Sequence, residues 1–381
     1  MDDACFRWPV IAEETIGKVA GLLRSGRIHR NSGISEGLEA SLRDSFKAAF
    51  ALPVCNGTAA ALSAFHALGL GPGDELIAPP FTHWATVLPA TQLGCRVVFA
   101  DLEPDSLGLS PAAAERAITP ATRCIVVSHM YGNPVNVEAF RELCDRRGLY
   151  LVEDLSHAPG ATWKGAPIGS FGDLAFFSMQ ATKTICAGEG GVLLGGDPRF
   201  YARAVELGHP KRISGLPEEC QRYARVGLGY KFTLSPILAL LAWESLQRLP
   251  AVNALRREVA QALRNAAADC PSIQFPKEHA GAGRVYWQHE LLVRHPAVGP
   301  AQVVEGLRRR GIVAGLADFE FLPDLPHFSA ACSGDQAFPN GRDLRRRLLV
   351  LRPFSQRNEA ALAEYLAGFR AVLSELGLLE S

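Results

Sequence analysis

Apolar segments with the length of β-strands alternate with helical segments from about residue 53 to residue 195. Cys124–Ser128 reads as a strand, Val137–Arg147 as a helix stopped by Gly148, and Leu149–Val152 as the next strand. This alternation is typical of a mostly parallel sheet that lies between layers of helices. The order of segments therefore predicts an α/β fold for this part of the chain.

Polar side chains follow two neighbouring strands of the predicted sheet. One apolar run ends at Asp154, and a second run leads to Ser178 and then to Lys183. Open α/β sheets bind their ligands at the carboxyl ends of the strands. The sequence therefore predicts a ligand site that contains these three side chains.

Lys183 lies among Ala, Thr, Ile and Cys residues, with almost no charge nearby. A lysine in a poorly solvated pocket has a lowered pKa and becomes a usable amine nucleophile. An amine that forms Schiff bases, with a carboxylate that holds a pyridinium nitrogen, is the pair that a pyridoxal phosphate enzyme needs. The alternative is a turn lysine and a capping aspartate. The combination and order of Asp154, Ser178 and Lys183 favour the cofactor site.

Four short motifs in this region resemble the core of the DegT-type aminotransferases, which act on sugars and cyclitols. They are EDLSHA at 153–158, GSFGD at 169–173, SMQATK at 178–183 and GEGG at 188–191. The resemblance implies an aspartate aminotransferase-like fold type I, with a large domain around a mostly parallel central sheet and a smaller C-terminal α+β domain. The chain has 381 residues, more than one core normally supports. We place the large cofactor-binding domain, with the N-terminal segment, at residues 1–245 and the small domain at residues 246–381.

The resemblance also implies roles for individual residues. Lys183 corresponds to the Schiff-base lysine and Asp154 to the partner of the pyridinium nitrogen. His157 is implied to lie near the cofactor ring, and Ser178 to bind the cofactor phosphate. The cofactor implied is pyridoxal 5'-phosphate.

A second polar turn precedes an Ala-rich helix. Gly57 allows a tight turn, Thr58 is a good N-cap, and Ala59 follows. Free N–H groups and the positive end of a helix dipole favour an anion there. A capped buried helix is the structural alternative. Together with the resemblance, the pattern indicates a phosphate cradle made by Gly57, Thr58 and Ala59.

Three positions, in two motifs, depart from the usual family pattern. An aromatic residue usually follows a threonine directly, where this chain has His83 and then Trp84. Either ring could stack on a flat cofactor, and core packing is the alternative for Trp84. Lys231 and Thr233 replace the asparagine and arginine of an Asn-Tyr-Arg-Met type motif. We interpret Lys231 as a contact to the phosphate in a partner subunit, with an ordinary surface lysine as the alternative.

Pro250 separates two segments with helical patterns. Ile237–Leu249 is apolar, and Leu255–Ala268 follows the proline. A proline inside a helical pattern commonly ends or kinks the helix. We therefore expect the chain to break at Pro250 as it crosses into the small domain.

The charge balance gives no indication of a nucleic-acid or membrane partner. The chain has 39 basic and 39 acidic residues, and no run approaches the ~18 apolar residues of a membrane span. The nine cysteines are scattered without a CxxC pair or metal-ligand spacing. Such cysteines are typical of a reducing cytosol. We expect a cytoplasmic protein that holds no metal.

The interpretation that combines these features is a pyridoxal phosphate-dependent aminotransferase. By the resemblance, it moves an amino group from glutamate or glutamine to a keto sugar, a keto cyclitol or a related ketone, in a homodimer with shared active sites. One alternative is a dehydratase, whose relatives carry histidine in place of the lysine, so Lys183 argues against it. The other is a regulatory relative that binds the cofactor without turnover.

Overall fold

The computed structural model describes residues 3–29, 32–317, 319–328 and 338–379. None of the helices in these ranges has both the length and the apolar character needed to cross a bilayer. The helices are α1 Glu13–Arg24, α2 Ile34–Phe46, α3 Gly57–Leu68, α4 Leu88–Gln92, α5 Pro111–Ala117, α6 Val137–Arg147, α7 Pro198–Gly208, α8 Pro236–Ala266, α9 Pro300–Arg309, α10 Pro339–Arg347 and α11 Glu359–Glu375.

The strands are distributed over three sheets, of which the largest lies in the N-terminal half of the chain. They are β1 Phe50–Val54, β2 Glu75–Ala78, β3 Arg96–Phe99, β4 Thr122–Ser128, β5 Tyr150–Asp154, β6 Thr162–Trp163, β7 Ala166–Pro167, β8 Leu174–Ser178, β9 Gly191–Gly195, β10 Ile273–Gln274, β11 Ala282–Gly283, β12 His289–Val293, β13 Ala314–Leu316 and β14 Leu348–Leu351.

The largest sheet has seven strands in the order β1-β9-β8-β5-β4-β2-β3. All pairs from β8 to β3 are parallel, and β9 runs antiparallel to both of its neighbours. The predicted mostly parallel α/β sheet is confirmed. In the pairing register, Asp154 at the end of β5 lies opposite Ser128 in β4 and Phe176 in β8. The carboxyl ends of these three strands therefore meet at one edge of the sheet.

Each face of this sheet has its own apolar core, because successive strand residues point to opposite faces. In β5, Leu151 belongs to one core and Val152 to the other. The first core includes residues of α2, α5, α6 and the first half of α8. The second includes residues of α3, α4 and α7. This double covering buries the strands and leaves their carboxyl ends as the place where polar groups collect.

A separate core forms in the C-terminal part of the chain. The antiparallel sheet β10-β12-β14-β13 packs there with α9, α11 and the second half of α8. Cys5 and Phe6, from the start of the chain, are buried in the same core. The contacts thus assign these two N-terminal residues to the C-terminal core, while the division into residues 1–245 and 246–381 stays a prediction.

Helix α8 is continuous, so the prediction that Pro250 breaks the chain was wrong. Proline lacks an N–H group and crowds the carbonyl of the residue four positions earlier, which disfavours a helix interior. Burial on both sides of the proline offsets that cost. Leu246 is buried in the core of the large sheet, whereas Val259 and Leu263 are buried in the C-terminal core. The helix therefore joins the two cores.

Substitution of Pro250 by Ala is expected to raise the midpoint of urea unfolding. Pro250 is exposed, so the substitution removes the steric conflict without opening a cavity. The helix propensity of alanine predicts a gain of about 1–3 kcal/mol in the free energy of unfolding. Ala251→Gly, at the exposed next position, is the matched control and should cost about 1 kcal/mol. An unchanged or lowered midpoint for Pro250→Ala would show that the proline itself contributes to packing.

Candidate active site

A cavity of about 720 Å³ lies at the carboxyl ends of β5 and β8. Seven of the predicted site residues line it, and two do not. Those that line it are Gly57, Thr58, His83, Asp154, His157, Ser178 and Lys183. Ala59 and Lys231 lie outside the lining. The side chains predicted from two strand ends, a loop and a helix start are therefore brought together in one place.

Lys183 lies in the loop that follows β8. Its backbone N–H donates to the carbonyl of Gln180 at 2.8 Å, which closes a tight turn. The Nζ atom lies 4.6 Å from the ring centroid of Trp287. Burial lowers the pKa of Lys183 to about 8, against the opposing effect of the negative charge on Asp154. Since the charged form is penalised, a larger share of this amine is neutral and nucleophilic than in a solvated lysine.

Asp154 is held by two donors at the end of β5. Its Oδ2 accepts a hydrogen bond of 2.6 Å from the hydroxyl of Thr86, and its Oδ1 accepts one of 2.9 Å from the N–H of Ser156. Thr86 is joined in turn to Thr82, and Thr82 to Ser128, by hydroxyl contacts of 3.3 and 2.9 Å. This buried chain of hydroxyl groups fixes the orientation of the carboxylate.

His157 is buried against Trp287, and the two rings are stacked. Their centroids are 3.9 Å apart and their planes differ by 4°. The Nδ1 atom accepts a hydrogen bond of 3.3 Å from the N–H of Tyr131, so the neutral ring carries its proton on Nε2. Burial, with the nearby charge of Lys183, lowers the pKa of His157 well below its usual value. The buried Nε2 has no hydrogen-bond partner in the described chain.

Sequence reasoning missed Trp287, which lines the cavity from a segment about a hundred residues further along the chain. Its Nε1 donates to the carbonyl of Thr182 at 2.8 Å, directly beside Lys183. The sequence gives no local signal for this contact. An aromatic residue just before a buried strand is ordinarily part of a core.

The start of α3 faces Ser178. Asn56, and not Thr58, is the N-cap, since the Asn56 side chain accepts from the N–H of Ala59 at 2.8 Å. The prediction that Thr58 is the cap was therefore wrong by two residues, and the N–H of Ala59 is already used. A Cβ atom on Gly57 would lie 2.8 Å from the Cβ of Ser178, so only glycine fits this approach.

The Ser178 hydroxyl remains able to donate toward the cavity. Its Oγ accepts from the N–H of Gln180 at 3.2 Å, which leaves the hydroxyl proton free to turn to another acceptor. Gly57 and Thr58 occupy the first turn of a twelve-residue helix at the same wall. The positive end of a helix beside a hydroxyl donor suits a phosphate group.

His83 and Trp84 form another wall of the cavity. The Nδ1 of His83 accepts from the N–H of Ala85 at 3.1 Å, and burial and the charge of Lys183 lower its pKa. Trp84 is 40% exposed, so the core-packing alternative for this residue was wrong. Their ring centroids are 4.9 Å apart. Which ring stacks on a cofactor stays open, and His83 stays the predicted one.

Lys231 is exposed, away from the cavity of its own chain. Thr233 forms an isolated antiparallel bridge with Val54, at the end of β1 and just before Asn56. The segment that carries Lys231 therefore passes close to the helix start. Its contact with the cofactor of a partner subunit stays a prediction.

A lysine amine, a fixed carboxylate and a helix start at the carboxyl edge of a mostly parallel sheet define the class of fold type I enzymes that hold a cofactor on lysine. Residues 9–366 match the model of the DegT/DnrJ/EryC1/StrS aminotransferase family. The chain belongs to this family, and the resemblance predicted from the four motifs is confirmed.

Individual relatives agree with this membership. Over 268 residues the chain is 36% identical to the L-glutamine:2-deoxy-scyllo-inosose aminotransferase of Streptomyces kanamyceticus, which covers 67% of this chain and 62% of that protein. It is 31% identical over 269 residues to the GDP-perosamine synthase of Vibrio cholerae, covering 71% and 72%. DesV of S. venezuelae, solved with a ketimine intermediate, superimposes with a TM-score of 0.84 at 28% identity and covers 94% of each chain.

The residues present fit pyridoxal phosphate, the cofactor predicted from the sequence. Lys183 supplies an amine for the carbonyl carbon, and Asp154 supplies a carboxylate for the pyridinium nitrogen. The unpartnered Nε2–H of His157 is a buried donor that lacks an acceptor in the described chain. Gly57, Thr58 and Ser178 provide the helix start and hydroxyl for a phosphate. These side chains therefore suit the carbonyl, the ring nitrogen and the phosphate of this cofactor.

Substitution of Asp154 by Asn is expected to lower the pKa of Lys183 below about 8, because the negative charge that favours the ammonium form is removed. The pKa is measured in cofactor-free protein by competitive acetylation of lysines across a pH series, with mass spectrometry of the Lys183 peptide. Glu138→Gln, at an exposed carboxylate that pairs with Lys164, is the control and should leave it unchanged. A pKa that rises in Asp154→Asn would contradict the site geometry.

Proposed function

We propose that this chain is a pyridoxal phosphate-dependent aminotransferase that moves an amino group from glutamine or glutamate to a keto cyclitol or keto sugar. The observation that carries the proposal is the Lys183 amine, with its lowered pKa, in one cavity with the fixed carboxylate of Asp154. When bound, pyridoxal phosphate supplies a carbonyl that takes up the amino group and a ring that accepts electrons.

The protein side chains supply proton transfer and orientation. Lys183 would hold the cofactor through its amine and, when that amine is free, would move the proton at the Cα of the amino donor. Asp154 would accept a hydrogen bond from the protonated pyridine nitrogen, and the two groups that donate to Asp154, the hydroxyl of Thr86 and the N–H of Ser156, keep its oxygens in place. The cavity walls of Trp287 and His157 limit water around the amine, which disfavours the ammonium form and keeps more of the amine neutral and able to accept a proton.

The acceptor class follows from the relatives and from the remaining lining. Of the two relatives, one is named for a deoxy-inosose acceptor and the other for perosamine synthesis. Phe319, Gln288 and Glu320 also line the cavity of this chain. The amide of Gln288 and the carboxylate of Glu320 can form hydrogen bonds with hydroxyl groups. The ring face of Phe319 can pack against C–H groups. These features suit a hydroxyl-rich ketone.

The two alternatives have less support. A dehydratase of this group is expected to carry histidine at the lysine position, where this chain has Lys183. A regulatory relative without turnover has no need for a lysine with a lowered pKa, or for a hydroxyl chain that fixes Asp154. Neither is the function that the site supports best.

We also propose a cytoplasmic homodimer with shared active sites. The segment 226–231 is largely exposed and includes the apolar side chains Val226, Leu228 and Tyr230. A second subunit would cover these side chains and bring Lys231 to the phosphate cradle of its partner. Seven cysteines in the described ranges are free thiols, which suits a reducing compartment; they are Cys55, Cys95, Cys124, Cys144, Cys186, Cys220 and Cys270.

The absorbance spectrum of the purified protein tests the function. With pyridoxal phosphate, the native protein should show the visible band of a lysine-linked cofactor, and the band should fall with glutamine or glutamate and return with a keto acid. Lys183→Ala should lose the band and at least 10³-fold of the transamination rate, since nucleophile and base are both removed. Full activity of Lys183→Ala would overturn the mechanism. A band that neither amino acid changes would instead favour the regulatory alternative.

Mixed dimers test the role of Lys231. Lys231→Met should weaken binding of pyridoxal phosphate by ~10-fold, as expected for loss of one charged phosphate contact. If Lys231 acts in the partner's site, each mixed dimer of a Lys183→Ala and a Lys231→Met subunit has one site with both native lysines. In that site, Lys183 comes from the Lys231→Met subunit and Lys231 from the Lys183→Ala subunit. At a pyridoxal phosphate concentration that leaves Lys231→Met unsaturated, activity should therefore return on mixing. No recovery, with exchange of subunits verified by mass, would contradict a contact between subunits.

A further inference from the structure

The N-terminal segment crosses the loop that carries the reactive lysine. Trp8 donates a hydrogen bond of 3.2 Å from its Nε1 to the backbone carbonyl of Lys183, 175 residues away in sequence. Three residues before Trp8, the carbonyl of Cys5 accepts from both the N–H and the hydroxyl of Ser355, at 2.8 Å each. The segment that carries Trp8 is therefore anchored at Cys5 in the C-terminal core, and Trp8 reaches the active-site loop from there.

The indole of Trp8 also covers a buried cation. Arg256 of α8 is 1% exposed, and its guanidinium carbon lies 4.8 Å from the ring centroid of Trp8. It donates to two neutral groups, the hydroxyl of Thr184 at 3.2 Å and the carbonyl of Tyr286 at 3.0 Å. Burial lowers the pKa of Arg256 to about 10. A buried cation with neutral partners is costly to keep, so its position calls for a function.

The two hydrogen bonds of Arg256 reach the two segments that surround the lysine amine, the loop that carries Lys183 and the segment that carries Trp287. Thr184 follows Lys183 in the loop, so one bond fixes the loop. Tyr286 precedes Trp287, whose ring lies 4.6 Å from the Lys183 Nζ, so the other bond fixes the segment that covers the amine. Trp287 joins these two segments directly, because its Nε1 donates a hydrogen bond to the carbonyl of Thr182.

We propose that Trp8 and Arg256 are positioning residues that hold the loop 182–184 and the indole of Trp287 in place around the Lys183 amine. Neither residue lines the cavity, so both act through Lys183 and Trp287. The proposal rests on the proposed function only in taking Lys183 as the reactive amine. It gives the N-terminal segment a role in the reaction.

The charged and titratable groups that face the amine come from other elements. Asp154 lies at the end of β5, His157 follows it, and His83 lies before α4. Among the described residues, none of these side chains forms a hydrogen bond with Trp8 or Arg256. A change at Trp8 therefore acts on Lys183 through the position and hydration of the amine.

Trp8→Phe tests the proposal, because it keeps a ring over Arg256 and removes only the N–H donor. In cofactor-free protein the pKa of Lys183 should rise by ~0.5–1 unit toward that of a solvated lysine, as the loosened loop admits water to the ammonium form. Competitive acetylation with mass spectrometry of the Lys183 peptide gives the value. Trp163→Phe is the matched control, since Trp163 is buried and donates to Glu138 at 3.5 Å. It should leave the pKa of Lys183 unchanged.

Arg256→Lys and Arg256→Met provide a second pair of variants if Trp8→Phe does not fold. Both bonds of Arg256 come from Nη1. Lysine keeps the charge over Trp8 but lacks the planar guanidinium that places this nitrogen between the two acceptors, so both variants should raise the pKa of Lys183, with the larger shift in Arg256→Met. If the Arg256 variants fold and the pKa of Lys183 is unchanged in them, the proposal is overturned. It is also overturned if Trp8→Phe and Trp163→Phe have the same Lys183 pKa and differ only in their unfolding midpoints. The labelling needs neither cofactor nor substrate, so its result is independent of whether the aminotransferase assignment holds.

Discussion

One lysine amine is kept away from bulk water beside one carboxylate, and the surrounding site is arranged for that purpose. Burial lowers the pKa of Lys183 to about 8, while Asp154 opposes the shift. At pH 7 about a tenth of such amines are neutral, compared with about one in 2,500 for a solvated lysine. The hydroxyl of Thr86 and the N–H of Ser156 keep the carboxylate from turning away.

The neighbouring acid has a structural role at the same strand end. Glu153 is fully buried on the opposite side of β5 and accepts from the backbone N–H groups of Gly169, Phe171 and Gly172. His129 contacts it at 3.2 Å through Nε2. Because successive side chains of a strand point to opposite faces, Glu153 faces the loop that donates these N–H groups, whereas Asp154 faces the cavity.

The sequence allows prediction of those parts of the site that follow from local order. Asp154, Ser178 and Lys183 come from strand ends and a tight turn, and parallel strands must end at a common edge. Trp287 and Trp8 reach the same lysine only through tertiary contacts across more than a hundred residues, and no local pattern signals them. The cap at Asn56 was mispredicted because asparagine and threonine both suit an N-cap and the sequence alone does not fix the residue at which a helix begins. The unbroken helix at Pro250 was mispredicted because burial on both sides of the proline outweighs its local preference.

Borohydride reduction of the protein incubated with pyridoxal phosphate, followed by mass spectrometry of the peptides, tests the central claim most directly. The account predicts a single stoichiometric pyridoxyl group on Lys183, because this amine combines a lowered pKa with a cavity that fits the cofactor. It also predicts that prior incubation with glutamine or glutamate protects Lys183 from the label. Modification of another lysine at that stoichiometry, with Lys183 unlabelled, would contradict the account.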